Sequence, residues 1–179
     1  SMFKDSDRAI VANLLRAVER YVHWIDIGLV ANDQFMPLLF HVLNTFDEDS
    51  EAQVAAISVL REIVSKRMDA GPKLSLIEGL GLVPIAASWS TSGVPGISND
   101  DHELAVASSK LLVSLASEIL EAWKKVENGV LSLQAVGVAL DDDVISEANT
   151  SCSIAAAMMD QLFPAVVEVF KIPDDEISP

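Results

Sequence analysis

The sequence predicts an all-α fold built from antiparallel helix hairpins, and three observations carry the prediction. Apolar residues recur at three- and four-residue steps in one segment after another, as they do on helices with a buried face. No segment alternates polar and apolar residues in the way a half-buried strand would. Acidic or Gly/Pro-containing turns punctuate the helical segments without the composition shift of a domain linker. With 179 residues, 50% of them apolar, the chain can bury a sizeable core in one unit.

The first helix follows Asp5 or Ser6 as cap and runs through Ile10, Leu14, Leu15, Val18, Tyr21, Val22 and Ile25, a single apolar stripe. Beyond Gly28, the pair Asn32-Asp33 supplies a second cap, and Phe35, Leu38, Leu39, Val42, Leu43 and Phe46 continue the period. Pro37 falls near the start of that helix, where a missing backbone donor costs little. Asp47 to Asp49 break the pattern, Ser50 is a good N-cap with Glu51 in the first turn, and Val54, Ile57, Leu60, Ile63 and Val64 mark a third helix ending near Met68.

Asp69-Ala70-Gly71-Pro72 reads as a turn. A fourth helix then carries Leu74, Ile77, Leu80, Leu82, Val83 and Ile85 toward Trp89, kinked or broken around Gly81 and Pro84. The stretch 90–98, rich in Gly, Ser and Pro, is a loop. Asn99, Asp100 or Asp101 caps a long fifth helix with Leu104, Leu111, Leu112, Leu115, Ile119, Trp123 and Val126, and Asn128-Gly129 is a C-cap signal. Residues 130–140 form an apolar insertion of helical tendency, which Asp141-Asp142-Asp143 interrupts. A last helix starts at about Ser146 or Thr150, carries Ile154, Met158, Leu162, Val166, Val169 and Phe170, kinks at Pro164 and ends at Pro173.

Helix starts near residues 6, 33, 50, 72, 101 and 150 pair into hairpins 6–46, 50–90 and 100–172. First helices then recur after roughly 44 and 50 residues, close to the ~40 to 47 of a HEAT unit. The expected architecture is a HEAT-repeat α-solenoid over residues 1–179, a right-handed superhelix of about three hairpins with the third kinked or inserted. A four-helix bundle is the structural rival.

Twelve Lys and Arg against twenty-seven Asp and Glu leave a formal charge of -15. Such a surface repels phosphate backbones, DNA included, and favours basic partner surfaces. The single cysteine, Cys152, has no internal disulfide partner and no metal-ligand spacing around it, which fits a reducing compartment. The most continuous apolar stretch, residues 79–87, contains Pro84 and falls short of the ~20 residues of a membrane span. No transmembrane helix is therefore expected. Ser1-Met2 reads as a cloning remnant, and the chain as part of something longer.

None of the eight glycines stands before a lysine in phosphate-cradling spacing. No Gly-x-Ser-x-Gly elbow occurs, and His23, His41 and His102 are scattered over three helices, so neither catalysis nor a cofactor is expected. The clusters Asp47-Glu48-Asp49 and Asp141-Asp142-Asp143 invite a calcium reading. Ala52 and Ser146 stand at the sixth position, however, where a tight calcium loop needs glycine. Both clusters read as solvated turns, with a basic protein surface as the functional alternative. Arg61, Lys66, Arg67, Lys73, Lys124 and Lys125 sit toward helix C-termini, where cations complement the dipole. Lys66, Arg67 and Lys73, with Asp141, Asp142 and Asp143, are the candidate partner contacts. Trp24, Trp89 and Trp123 lie on or beside apolar stripes and read as core anchors rather than platforms for bases.

The run Arg-Tyr-Val-His-Trp-Ile-Asp-Ile-Gly-Leu-Val-Ala-Asn-Asp-Gln-Phe, residues 20–35, resembles the Tyr-x-x-Trp-Ile-Asp-Ile-x-Leu-Ile-Ala-Asn-Asp-x-Phe stretch of the tRNA exportins, the exportin-T family. A second piece, Ile-Val-Ser-Lys-Arg-Met-Asp at 63–69 followed by Lys73-Leu74, is similar to that family's Val-x-Lys-x-Met-Asp segment with its downstream Lys-Leu. The resemblance covers about residues 14–76 and departs beyond Ser90. Read from chemistry alone, Tyr21, Trp24 and Ile25 share the apolar face of the first helix, Asp26 follows them, Asn32 or Asp33 caps the second helix, and Phe35 packs back into the hairpin. The signature thus reads as a rigid corner.

The resemblance implies a karyopherin of the importin-β class, a HEAT superhelix that binds tRNA cooperatively with the GTP form of the GTPase Ran, meets nuclear pore proteins and shuttles between nucleus and cytoplasm. This chain would be an internal section acting mainly as scaffold, and the isolated section is expected not to bind tRNA. The alternative is a HEAT-type scaffold or karyopherin for protein cargo that binds no RNA.

Overall fold

The computed structural model describes residues 2–45, 50–97, 100–135 and 141–171. Among the described residues seven α-helices follow one another: α1 (Met2–Tyr21), α2 (Phe35–Thr45), α3 (Ser50–Ser65), α4 (Ala70–Leu80), α5 (Leu82–Ser92), α6 (His102–Ala135) and α7 (Asp142–Phe170), with a 3-10 turn, Ile27–Leu29, between α1 and α2. No strand occurs among the described residues. The fold is an all-α solenoid segment of the HEAT type.

The core is centred on α3. Its Ala52, Ala55, Ala56, Ile57, Val59, Leu60, Ile63 and Val64 are all buried, because α3 packs between α1 on one side and α6 on the other and also touches α2 and α4. Leu111, Leu112, Leu115 and Ile119 of α6 complete that contact at 3% exposure or less. The helices α1, α3 and α6 thus form one close-packed row. In the second row, α4 and α5 lie against α7, and α7 runs along α6.

Several element boundaries differ from the sequence reading, each for a local reason. The buried side of α1 is Ala12 and Leu15, continued after its end by Val22, while Ile10, Leu14 and Tyr21 are 54%, 62% and 62% exposed. At about 100° per residue, positions 10, 14 and 21 fall on a separate side, so α1 carries two apolar stripes rather than one. Asp69 is the extended N-cap of α4, which starts at Ala70. Gly71 and Pro72 therefore lie in the first turn, where proline is tolerated, and the connection itself is residues 66–69. The fourth helix does break at Gly81, whose φ of 66° is left-handed, and α4 and α5 meet at 58°. Pro84 sits in the first turn of α5 and breaks nothing.

Asn128-Gly129 does not end a helix. The α6 helix continues through it to Ala135, since Gly129 has no positive φ and an interior glycine costs only about 1 kcal/mol. Nor do Asp141 to Asp143 interrupt a helix: Asp141 is the extended N-cap of α7 and Asp142 and Asp143 fill its first turn, where carboxylates meet the positive end of the dipole. The last helix thus starts ahead of Ser146, with Pro164 inside it. By length and composition α7 would suffice to cross a membrane, its best 18-residue window having a mean hydropathy of 1.4, although residues 79–87 are the most continuous apolar stretch of the sequence. Here it packs along α5 and α6. Phe46, the Asp47-Glu48-Asp49 cluster, Asn99, residues 136–140 and Pro173 lie outside the described residues.

Candidate functional site at a lysine-clamped corner

The resembling stretch folds into the corner between α1 and α2. After Tyr21 the amides of Trp24 and Ile25 both donate to the Tyr21 carbonyl, at 2.9 and 3.1 Å. Asp26 is extended, and its carboxylate accepts from the Gly28 amide at 2.8 Å, opening the 3-10 turn. Asn32 then works in two directions. Its Oδ1 accepts from the amides of Gln34 and Phe35 at 3.0 and 2.8 Å, capping α2 as short polar side chains do. Its Nδ2 donates to the Gly28 carbonyl at 2.9 Å and ties the cap back to the turn. Phe35 and Ile25 pack partly buried against the core, and Asp33 is exposed. The cap is therefore Asn32.

Two lysines hold this corner to the rest of the molecule. Lys66 Nζ donates to the carbonyls of Val22, His23 and Ile25 at 2.8, 3.1 and 2.8 Å. Lys73, 4% exposed, donates to the carbonyls of Val64 and Lys66 at 2.6 Å each and to Glu118 Oε2 at 2.8 Å. An ammonium has three donors, and each lysine spends all three inside the protein. The result is a continuous path from the corner through Lys66 and Lys73 to Glu118 on α6. Both lysines were candidates for partner contact, and the structure gives each of them an internal role. Arg67, the third candidate, is exposed, at the mouth of a cavity of about 210 Å³ that Lys125 and Glu121 also line.

A second polar cluster lies beside the clamp. His23 Nε2 stands 2.6 Å from Glu62 Oε2, Arg61 donates to Glu62 Oε1 at 2.9 Å, and the same guanidinium is 4.0 Å from Glu19. Burial pushes the Glu62 carboxyl up, but the hydrogen bonds and charges of Arg61 and His23 outweigh it and hold the group below its ordinary value. Burial and the nearby Glu127 push the Cys152 thiol up.

Tyr21 and Trp24 depart from the expected packing. They are 62% and 85% exposed, Tyr21 because it lies on the second apolar stripe of α1 and Trp24 in the turn beyond the end of that helix. Trp89 is buried, and Trp123 is partly buried against the core, in keeping with their reading as anchors. Asp141, Asp142 and Asp143 are exposed. Among the described residues no group of three or more His, Cys, Asp or Glu is placed to hold a metal ion. The signal that could have revealed the clamp is the position of Lys73: it shares the helical face of Ile77 and Leu80, a register that demands burial.

Comparison with known proteins bears on this corner directly. The model of the family described as exportin 1-like protein matches residues 1–60, which include it. The exportin-T of Arabidopsis thaliana is 37% identical over 129 residues, 72% of this chain and 12% of the relative. That of Oryza sativa subsp. japonica is 30% identical over 171 residues, 96% of this chain and 14% of the relative. The chain belongs to the exportin-T family. A third exportin-T, from Emericella nidulans, is 33% identical over 137 residues, 70% of this chain and 13% of its own length. The chain thus spans well under a fifth of the length of the exportin-T proteins it matches. No solved structure matches it.

Proposed function

We propose that this chain is one section of a nuclear export receptor that carries tRNA from nucleus to cytoplasm in a complex dependent on Ran-GTP. The observation that carries the reading is the similarity to proteins named exportin-T, 37% identical over 129 residues for one of them. The chain's own part is scaffold: three hairpins, at about 6–46, 50–90 and 100–172, hold a fixed curvature, with the corner at Tyr21–Phe35 as a rigid joint. Exposed Arg67 and Asp141, Asp142 and Asp143 are the side chains left to meet a partner surface. In the whole receptor, Ran-GTP and tRNA each favour the closed superhelix, so each raises the affinity of the other by the same factor. Contact with nuclear pore proteins and shuttling between nucleus and cytoplasm follow from the same reading.

tRNA binding to the full-length receptor, measured with and without Ran-GTP, tests the proposal. Tighter binding with Ran-GTP is expected, and equal affinities would sink it. The 179-residue chain alone, at a formal charge of -15, should give no gel shift with tRNA at physiological salt, and a shift at low micromolar protein would overturn its assignment as scaffold. The same charge favours a second reading, a carrier of protein cargo that binds no RNA. Failure of the full-length protein to bind tRNA under both conditions would select it.

A further inference from the structure

A groove of about 750 Å³ lies between the α4/α5 elbow and the N-terminal two-thirds of α7. Both of its described walls belong to this chain. Its lining on α7 runs from Asp142 to Gln161, about 28 Å at 1.5 Å per residue. An extended chain of about eight residues would span that length, and unlike a helix it leaves its backbone groups free to pair with the walls.

The chemistry of the walls narrows the occupant. Ile154 and Met158 give the groove an apolar floor, while Asn149 and Ser153 present amide and hydroxyl groups on the same face of α7. Those groups can both donate to and accept from a peptide backbone. Glu78 stands on the elbow wall and Asp142 at the N-terminal end of the α7 wall, and none of the lining residues is basic. In an extended peptide successive side chains point to opposite sides. One set can enter the apolar floor while the alternate set reaches the two carboxylates.

We propose that this groove binds an extended peptide segment in which apolar residues alternate with lysine or arginine. The choice of a cationic occupant rests on charge complementarity with Glu78 and Asp142 in a chain of formal charge -15, and it stands apart from the transport reading above. Such a peptide would come from another protein, its main chain held by the polar ladder of α7 and its cations by the rim.

The test titrates the 179-residue chain with labelled peptides of about eight residues, the length that spans the groove when extended. One alternates leucine with lysine, and a second replaces every lysine by glutamine. The lysine peptide should bind, with an affinity that falls as salt rises. The paired change Glu78→Gln and Asp142→Asn should weaken it at least about tenfold. A control pair away from the groove, Glu103→Gln and Glu121→Gln, alters net charge equally and should leave affinity within about twofold. Ala157→Trp, at an exposed lining position, should fill the groove and abolish binding without changing the melting curve. Equal binding of the neutral peptide, equal weakening by both charge pairs, unchanged binding to Ala157→Trp, or no binding of the lysine peptide would each overturn the proposal.

Discussion

Lys73 spends a full positive charge on three internal acceptors at 4% exposure, and its removal would expose what that charge holds. Lys73→Met retains the stem but strands the Val64 and Lys66 carbonyls and leaves Glu118 without its partner. Glu118 is 27% exposed, so water offsets part of the loss, and a destabilisation of about 2–3 kcal/mol is expected. In a domain of this size that lowers Tm by about 5–10 °C, whereas Lys125→Met, at an exposed position within α6, should change stability by less than about 0.5 kcal/mol. Glu62 offers a test with a sign. Its folded-state value lies below the ordinary 4.5, so the unfolded chain takes up the proton first. The stabilisation is therefore present above pH 4.5 and is lost as pH falls through the lower folded value. Glu62→Gln should lower Tm near neutral pH, with the gap to wild type closing as pH falls below about 4.5. A gap that persists unchanged to about pH 3 would show that Glu62 acts by packing and not by charge.

At the scale of elements, two glycines separate strain from crowding. Gly81 holds φ at 66° with nothing within 4 Å of the position a Cβ would take, so Gly81→Ala should cost only the left-handed penalty, about 1–2 kcal/mol. Gly96, at φ 95°, would drive a Cβ to 2.2 Å from the Ala105 amide nitrogen and 2.6 Å from the Asp101 carbonyl. The loop that turns into α6 must then open, and about 3 kcal/mol or more is expected. Urea midpoints for the two variants check the order, and equal losses would mean that the loop yields freely. Helices and caps were legible where their causes are local: the apolar steps, a cap at Asn32 or Asp33, of which Asn32 serves, a cap among Asn99, Asp100 and Asp101, of which Asp101 accepts from the Leu104 amide, and a kink or break around Gly81 and Pro84, which falls at Gly81. Asn128-Gly129 misled because glycine permits a left-handed end without requiring one, and Asp141 to Asp143 because acids that end one helix can equally begin another. The register of Lys73 hinted at burial, but the partners of the clamp were illegible for a different reason. The carbonyls that Lys66 holds are 41 to 44 residues away along the chain, and Glu118 is 45 residues from Lys73.

For the whole molecule, the misplacement of Tyr21 and the smooth period of α1 have one cause. A helix inside a stack needs two apolar sides, and periodicity cannot tell which of them has a neighbour. Ile10, Leu14 and Tyr21 stand at 54–62% exposure, a patch of the kind that drives association. Leu14→Glu should leave the melting curve within about 0.5 kcal/mol of wild type and should reduce any concentration-dependent increase in mass seen by sedimentation. A lower Tm would show that Leu14 packs within the chain after all.

Grooves open to solvent lie beside the helices of both rows. The α1, α3 and α6 row is close-packed side chain against side chain, and such interiors resist compression. Across the other row, space of about 420 Å³ separates α2 from α4, and about 750 Å³ lies between the α4/α5 elbow and α7. Beside the first row, too, a groove of about 520 Å³ opens between Arg61 and Glu62 of α3 and Val106, Ser109 and Lys110 of α6. Solvent thus reaches between the helices on both sides of the segment, and only the centre around α3 is continuous side chain.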